Sequence, residues 1–570
     1  ASVVTIAACI TVALVAGTAG LPLASTTSQA DAATGSELLD VGGPLRPGLA
    51  AYDVLRYELD LRLDVDHQSV AGSVTFVLRV VTPIAEFECD LVDQLVLDSV
   101  RLGGNDGPEL EHVHSGGRVL ATLPQPWQVG ETHRVVVTYH GQPVVAEKPK
   151  GFGGFVWRST PESGRPWVGV SCQLEGADLW WPCKEHPSDK PDNGMSIRLT
   201  CPSDLVCLTN GRRLRKRDNP DGTTTSEWAV SYPINTYLVT VSAAPYVPLI
   251  EHYHGVDGDL DEELIFWALP EHRDQAAATW HQVPRILEVL GRRFGEYPFF
   301  NDKLWFVETP YLGMEHQTLV AYGDHFDTSE LGFDPLLLHE LAHEWWGNKI
   351  SVRDWADFWI HESFATYCEA LYVNDTQGLE AYLDYMRRLR AKVECQAPLV
   401  QGTDLPGSVA YTNDIYYKGA CMLHTLRYLI GDEAFFDTLK HLTTDPRHAY
   451  GFISTDDVLE AFAERSDIRL DWFWDRYLYG NDLPRWHLEK VREGERVRAI
   501  IRWDDPYFLM PVPVRIGEII IRIPIENHKA SMLIDPHSDL VVDPEGWILV
   551  EEEPAADGPG GTAQDAPPAT

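Results

Sequence analysis

Residues 334–370 read DPLLLHELAHEWWGNKISVRDWADFWIHESFATYCEA, and the reading of that stretch decides the chemistry of the chain. Asp334 can cap a helix, Pro335 suits a first helical turn, and Leu336, Leu337 and Leu338 supply an apolar run. The pattern predicts a helix that ends near Gly347 and Asn348. Residues four apart on a helix share a face, so the imidazoles of His339 and His343 converge on one point. That is the geometry a metal ion needs. Glu340 points off this axis, where it can reach a water without binding the ion itself, and it is the candidate general base. A second helix is expected from about Asp357, through Phe358, Trp359, Phe364, Ala365, Tyr367 and Ala370. It carries Glu362, nineteen positions after His343. Two nitrogens and one carboxylate oxygen would hold a zinc ion and leave its fourth position open for water. The bland alternative is a buried helix whose two histidines only pack.

The chain has 570 residues, 44% hydrophobic and 10% aromatic, enough for several cores and about three domains. A formal net charge of −39 repels phosphate backbones and anionic membranes, so nucleic acid is not expected as a partner. Such a surface could favour cationic substrates, although solvation alone accounts for it. Residues 3–19, VVTIAACITVALVAGTA, form an apolar run, and Ala30-Asp31-Ala32 follows as an Ala-x-Ala cleavage signal. Residues 1–32 are therefore expected to be a signal peptide, and the protein to be secreted with no stable membrane insertion afterwards. An uncleaved anchor is the alternative. Eight of the nine cysteines lie beyond that segment, too thinly spread for a disulfide scaffold and without a CxxC pair. A bridge such as Cys201 to Cys207 stays open.

Residues 33–50 read as a linker. Tyr57, Leu59, Leu61, Leu63 and Val65 then alternate with charged residues, and Val74, Phe76, Leu78 and Val80 repeat the pattern. Strand-like runs such as Val135 to Tyr139 and Tyr237 to Ala243 continue, so residues 51–247 read as an all-β domain. The segment from Ser171 to Asp192, SCQLEGADLWWPCKEHPSDKPD, breaks the strand pattern and puts Gln173 and Glu175 among the binding candidates. From about residue 250 the period turns helical, with Ala276 to Phe294 as one helix. An extended stretch follows that contains Gly313-Met314-Glu315-His316. Glu315, on a strand bordering the metal helix, could pair with a substrate ammonium. Helices are expected at Leu379 to Val393, Tyr416 to Leu429 and Thr455 to Arg465. Tyr416 opens the second of these, where its phenol could donate to an oxyanion, and Tyr417 competes for the role. Residues 248–484 are expected to be the domain that carries the metal site. Residues 485–553 read as a small β-sandwich, with strands at Val497 to Trp503, Val512 to Ile516, Ile519 to Ile525 and Leu540 to Val542. The Pro/Gly/Ala-rich tail, 554–570, is expected to be disordered. The fold class is α+β and multidomain.

Taken together, these motifs resemble the zinc aminopeptidases of the gluzincin class typified by aminopeptidase N, from about Tyr52 to Val550. HELAHEWWGN with WADFWIHESFATY resembles the family's HExxH-x18-E core, and YYKGA places Tyr416 on its Y-x-K-G tyrosine. Gly313-Met314-Glu315 resembles its exopeptidase motif, and Cys172-Gln173 ahead of Pro182-Cys183 resembles its segment lining the S1 pocket. The resemblance implies one zinc ion on His339, His343 and Glu362, with Glu340 as base and Tyr416 as oxyanion donor. Glu315 and Gln173, with Gly313 and Met314 beside them, would hold the free N-terminus of a peptide substrate. It also implies an antiparallel β saddle domain, a thermolysin-like, mostly helical catalytic domain and a C-terminal β-sandwich. The large helical C-terminal domain of many relatives is not expected within these 570 residues. Two positions depart: His316 stands where the family usually has Asn, and His361-Glu362-Ser363 where it usually has Asn-Glu-Gly. Two other functions compete with an aminopeptidase, a thermolysin-like endopeptidase and a catalytically silent peptide-binding scaffold.

Overall fold

The structure is a computed structural model that describes residues 41–146, 153–323, 326 and 331–551. The expected signal peptide and tail lie outside the described residues. The N-terminal part is built on a seven-stranded sheet whose centre pairs Tyr52–Asp64 with Ser69–Val80 over twelve residues each way. Leu59, Leu61, Leu63, Val74, Phe76 and Leu78 are buried on its inner face, which is what the alternation in the sequence requires. One pair departs from the antiparallel expectation. Tyr52–Asp64 runs parallel to Met195–Pro202, which the intervening chain allows by a long excursion before it returns to the sheet.

A second sheet of Gly154–Ser159, Pro166–Ser171, Val241–Ala244 and Val206–Thr209 covers the side toward the helices. The run Tyr237 to Ala243 is not one strand. Thr236–Leu238 is a 3-10 turn, and the strand starts at Val241. Residues 41–50, read as a linker, are tied down: Val41 N–H donates to the Leu174 carbonyl at 3.0 Å, and Leu49 is buried. Arg46 reaches back to the buried carboxylates of Glu88 and Asp90.

The helical period expected from residue 250 begins later. Val247–Tyr253 and Glu262–Ala268 come before it, and with Leu304–Glu308 and Leu319–Tyr322, which follow the first helices, they form a four-stranded sheet. Its last three strands run parallel and are buried, so they read as near-continuous apolar runs without alternation, which a short buried helix shares. The expected helix at Ala276 to Phe294 is two, Arg273–Trp280 and Val283–Phe294, broken just before Pro284.

Three helices then frame the cleft: α1, Pro335–Ala342; α2, Trp359–Gln377; and α3, Tyr417–Ile430. Asp334 caps α1 by accepting from Leu337 N–H at 3.1 Å. α1 stops well short of Gly347. His343 keeps helical dihedrals as its cap, and a turn through Trp345 and Trp346 follows. Burial of that turn overrides helix propensity: Trp346 stacks on Phe364 of α2 at 4.2 Å between ring centres. Gly347 takes a φ of +133°, a backbone that side chains with a Cβ rarely adopt.

Residues 486–542 form two three-stranded sheets, Trp486–Glu493 with Arg496–Trp503 and Ala530–Ile534, and Ile519–Ile523 with Val512–Ile516 and Leu540–Val542. Trp486–Glu493 is almost wholly exposed and Ala530–Ile534 is short, which hides both from a periodicity reading.

α2 and α3 approach closely at one point. A Cβ on Gly419 would fall 1.7 Å from the Ser363 hydroxyl, next to Glu362. Gly419→Ala is expected to lower stability by about 1–3 kcal/mol through overpacking. Adding Ser363→Gly should recover most of that loss in chemical denaturation, and no recovery would show that the contact does not limit the crossing.

Candidate metal and peptide site

The two helices bring the three proposed ligands to one point. His343 Nε2 lies 3.1 Å from His339 Nε2, and Glu362 Oε2 lies 3.3 Å from His339 Nε2 and 3.5 Å from His343 Nε2. The other nitrogen of each ring is committed. His339 Nδ1 donates to Glu369 Oε1 at 2.9 Å, and His343 Nδ1 donates to the Trp346 carbonyl at 2.9 Å. Both partners only accept, so Nε2 of each ring carries the lone pair unless an added proton sits there. Two such lone pairs facing each other at 3.1 Å call for a positive charge between them.

Zinc fits that demand. Four ligands held about 2.0–2.1 Å from a tetrahedral ion stand about 3.3 Å from one another, which is the scale of the observed triangle. The donor set, two imidazoles and one carboxylate, is that of a hydrolytic zinc site. The orienting partners are also present, since Glu369 is fixed in turn by the Tyr385 hydroxyl. Burial by itself lowers an imidazole pKa, yet Glu362 and Glu369 hold His339 well above its ordinary value. Against the same burial, Glu362 carries His343 up to about 9.

Glu340 is buried beneath Gly313, where a Cβ would come within 2.4 Å of its carboxylate. Burial pushes Glu340 up to about 8 despite the two histidines, with Glu315 and Glu362 adding to the rise. Glu315, Glu340 and His343 each offer an atom within 4.8 Å of the others. Glu315 sits not on a strand but in the connection between Leu304–Glu308 and Leu319–Tyr322, next to a bridge that Met314 makes to Ala321. Met314 is 2% exposed. Gln173 arrives from the β domain and donates to Glu315 Oε1 at 2.5 Å. Glu175 is brought against Gly153 and not to this cluster. Burial raises the pKa of Glu315, partly opposed by His343.

Tyr416 lies over the His339 ring with centres 5.9 Å apart, and its hydroxyl donates to the Tyr411 hydroxyl at 3.2 Å. Tyr417 turns away toward Lys392. The geometry thus separates the two tyrosines where the sequence left them competing. The two departures from the family pattern are both buried and neutral. Burial pushes His316 and His361 down to about 3. His361 Nε2 accepts from Val352 N–H at 3.2 Å, behind Glu362.

Several contributors escaped the sequence reading. Tyr237 donates to Glu315 Oε1 at 3.3 Å from 78 residues away, and Glu369, Tyr385 and Tyr411 have no local motif. Glu369 alone left a trace, seven residues and two turns beyond Glu362 on the same helix.

The profile of the peptidase family M1 domain matches residues 281–477, and that of the peptidase M1 N-terminal domain matches residues 54–238. The chain is 23% identical to aminopeptidase B of Homo sapiens over 76% of this chain and 70% of that protein. It is 24% identical to endoplasmic reticulum aminopeptidase 1 of Homo sapiens over 67% of this chain, spanning 42% of that longer protein. The M1 zinc metallopeptidase from Deinococcus radiodurans shares the fold, with a TM-score of 0.64 and 23% identity over 76% of this chain and 95% of that one. A variant of that protein bound to a Tyr-Ser-Ala substrate gives a TM-score of 0.63 at 22% identity, over 76% and 96% of the two chains.

Because Glu362 and Glu369 raise the affinity of the ring pair for a proton, which the two Nε2 atoms 3.1 Å apart can share, zinc must displace that proton to bind. Calorimetry of zinc uptake by chelator-stripped protein at pH 7, in buffers of different ionisation enthalpy, should show proton release. Affinity should fall as pH drops. Uptake without protons would mean that the rings are neutral and the carboxylates are not acting on them.

Proposed function

The chain belongs to peptidase family M1, and on that footing we propose that it is a zinc-dependent aminopeptidase that removes N-terminal residues from peptides. The observation that carries the reading is the placement of Glu315. Its buried carboxylate stands within 4.8 Å of Glu340 and of a metal ligand, so a peptide held there by its ammonium has little length before the reacting centre. Zinc bound by His339, His343 and Glu362 would supply Lewis acidity that lowers the pKa of water and polarises the scissile carbonyl.

The side chains then divide the work. Glu340, unable to bind the ion together with the other three, takes the proton of the attacking water and hands it to the leaving amine. Tyr416 donates to the developing oxyanion, a contact worth about 3 kcal/mol by analogy with other oxyanion donors. Glu315 accepts the substrate ammonium, while Gln173 and Tyr237 hold its Oε1 in place. A substrate blocked at its N-terminus leaves this carboxylate buried without a cation, which is costly. That cost is what favours an exopeptidase over an endopeptidase or a silent scaffold.

We assign residues 51–247, 248–484 and 485–553 to the β, catalytic and sandwich domains. Export is part of the proposal, supported by the apolar run of residues 3–19 with Ala30-Asp31-Ala32 after it. The Cys201 to Cys207 disulfide suits an oxidising compartment. Among the described residues no helix is long and apolar enough to cross a membrane.

Aminoacyl anilides and matched N-acetylated peptides test the activity. Turnover of the free amines should vanish on chelation and return with zinc, and the acetylated substrates should resist. Equal rates on both would establish an endopeptidase. Glu315→Ala should lose roughly a hundredfold in kcat/KM while retaining its zinc, the scale expected when one partner of a buried charge pair is removed. An unchanged rate would end the anchoring role.

A further inference from the structure

Lys190 lies near the end of the aromatic, Pro-rich segment from Ser171 to Asp192 and is 4% exposed. Its ammonium leaves the β domain and enters the catalytic domain behind the metal site. There it donates to the Asn348 carbonyl at 3.0 Å, the Ser351 hydroxyl at 2.7 Å and the Gly451 carbonyl at 3.3 Å. The Phe452 ring lies below it at 5.6 Å. An ammonium has three hydrogens, and this one directs all of them at uncharged oxygens. None of these partners is a carboxylate, and burial alone lowers its pKa to about 7.

The turn it holds is the one that follows α1. Ser351 donates onward to the Gly347 carbonyl, and Asn348 N–H returns to the His343 carbonyl at 2.9 Å. Two functional groups hang on that turn. The Trp346 carbonyl accepts His343 Nδ1–H, and the Asn348 side-chain amide donates to the Glu315 carbonyl at 2.8 Å. Burying a cation without an anion is expensive, and a turn that needed only filling would be served as well by an apolar side chain. Removing the ammonium leaves three converging oxygens short of a donor. A guanidinium, planar and forked, does not match three acceptors that converge on one point.

We propose that Lys190 is a positioning residue for the peptidase reaction: its ammonium plugs an oxygen cradle at the junction of the β and catalytic domains and so orients His343 and Glu315. The role rests on the aminopeptidase reading of the same site.

Lys190→Met, close in length and apolar, keeps the cavity filled. It should lower kcat/KM by about 10- to 100-fold, the range seen for groups that orient metal ligands, with most of the change in KM for substrates with a free N-terminus. Lys190→Ala leaves the cradle open, so methylammonium should restore activity and raise the melting temperature of the zinc-free variant. Tetramethylammonium at equal concentration, having no N–H, should do neither, and wild-type protein should gain from neither salt. Melting shifts read the cradle without relying on turnover. An unchanged KM in Lys190→Met, or a Lys190→Ala melting temperature blind to methylammonium, would overturn the positioning role alone. Wild-type protein inert toward aminoacyl anilides would instead overturn the aminopeptidase reading on which the role rests.

Discussion

Two imidazole nitrogens held 3.1 Å apart, each with its other nitrogen already committed, cannot face one another without a positive charge between them. Much of the catalytic half is arranged to keep that unfavourable pair in place. α1 sets the spacing of the rings, α2 brings Glu362 to complete the triangle, and Glu369, two turns further along α2, fixes the tautomer of His339. The cost of assembling these groups out of water is returned when a divalent ion binds, which couples metal to the order of the cleft.

Rigidity comes from aromatic burial. Trp345, Trp346, Trp355 and Trp359 are each at most 1% exposed, and Trp346 stacks on Phe364 to hold the turn after α1 against α2. A carbonyl on that turn orients His343, so packing density becomes ligand geometry. The same logic extends across the domain boundary. Gln173, Tyr237 and Lys190 all belong to the β domain, yet they touch Glu315 or the turn beside it. The β domain is therefore part of the site and not only a platform for it.

The electrostatics follow from burial more than from the net charge of −39. Glu315, Glu340 and Glu362 crowd one cleft, and the ones not paired directly to the histidines have pKa values raised by desolvation. Positive charge brought among these carboxylates, by a metal ion above all, would relieve that crowding.

Local chemistry was legible without coordinates. The spacing of His339, Glu340 and His343 and the Asp334 cap depend on neighbours within a turn or two, and helical geometry turns those spacings directly into positions. The alternating strands near residues 57–80 were legible for the same reason. The buried parallel strands at Glu262–Ala268, Leu304–Glu308 and Leu319–Tyr322 were not, because burial on both faces erases alternation. Nor were Tyr237, Glu369 and Lys190, whose partners lie 78, 30 and 158 residues away. The sequence determined which residues could hold a metal and take a proton, since those depend on spacing within a helix. Only the tertiary structure decided which tautomer each histidine adopts, which tyrosine faces the cleft and which cation braces it, since those depend on groups brought together by packing between elements, not by spacing along one helix.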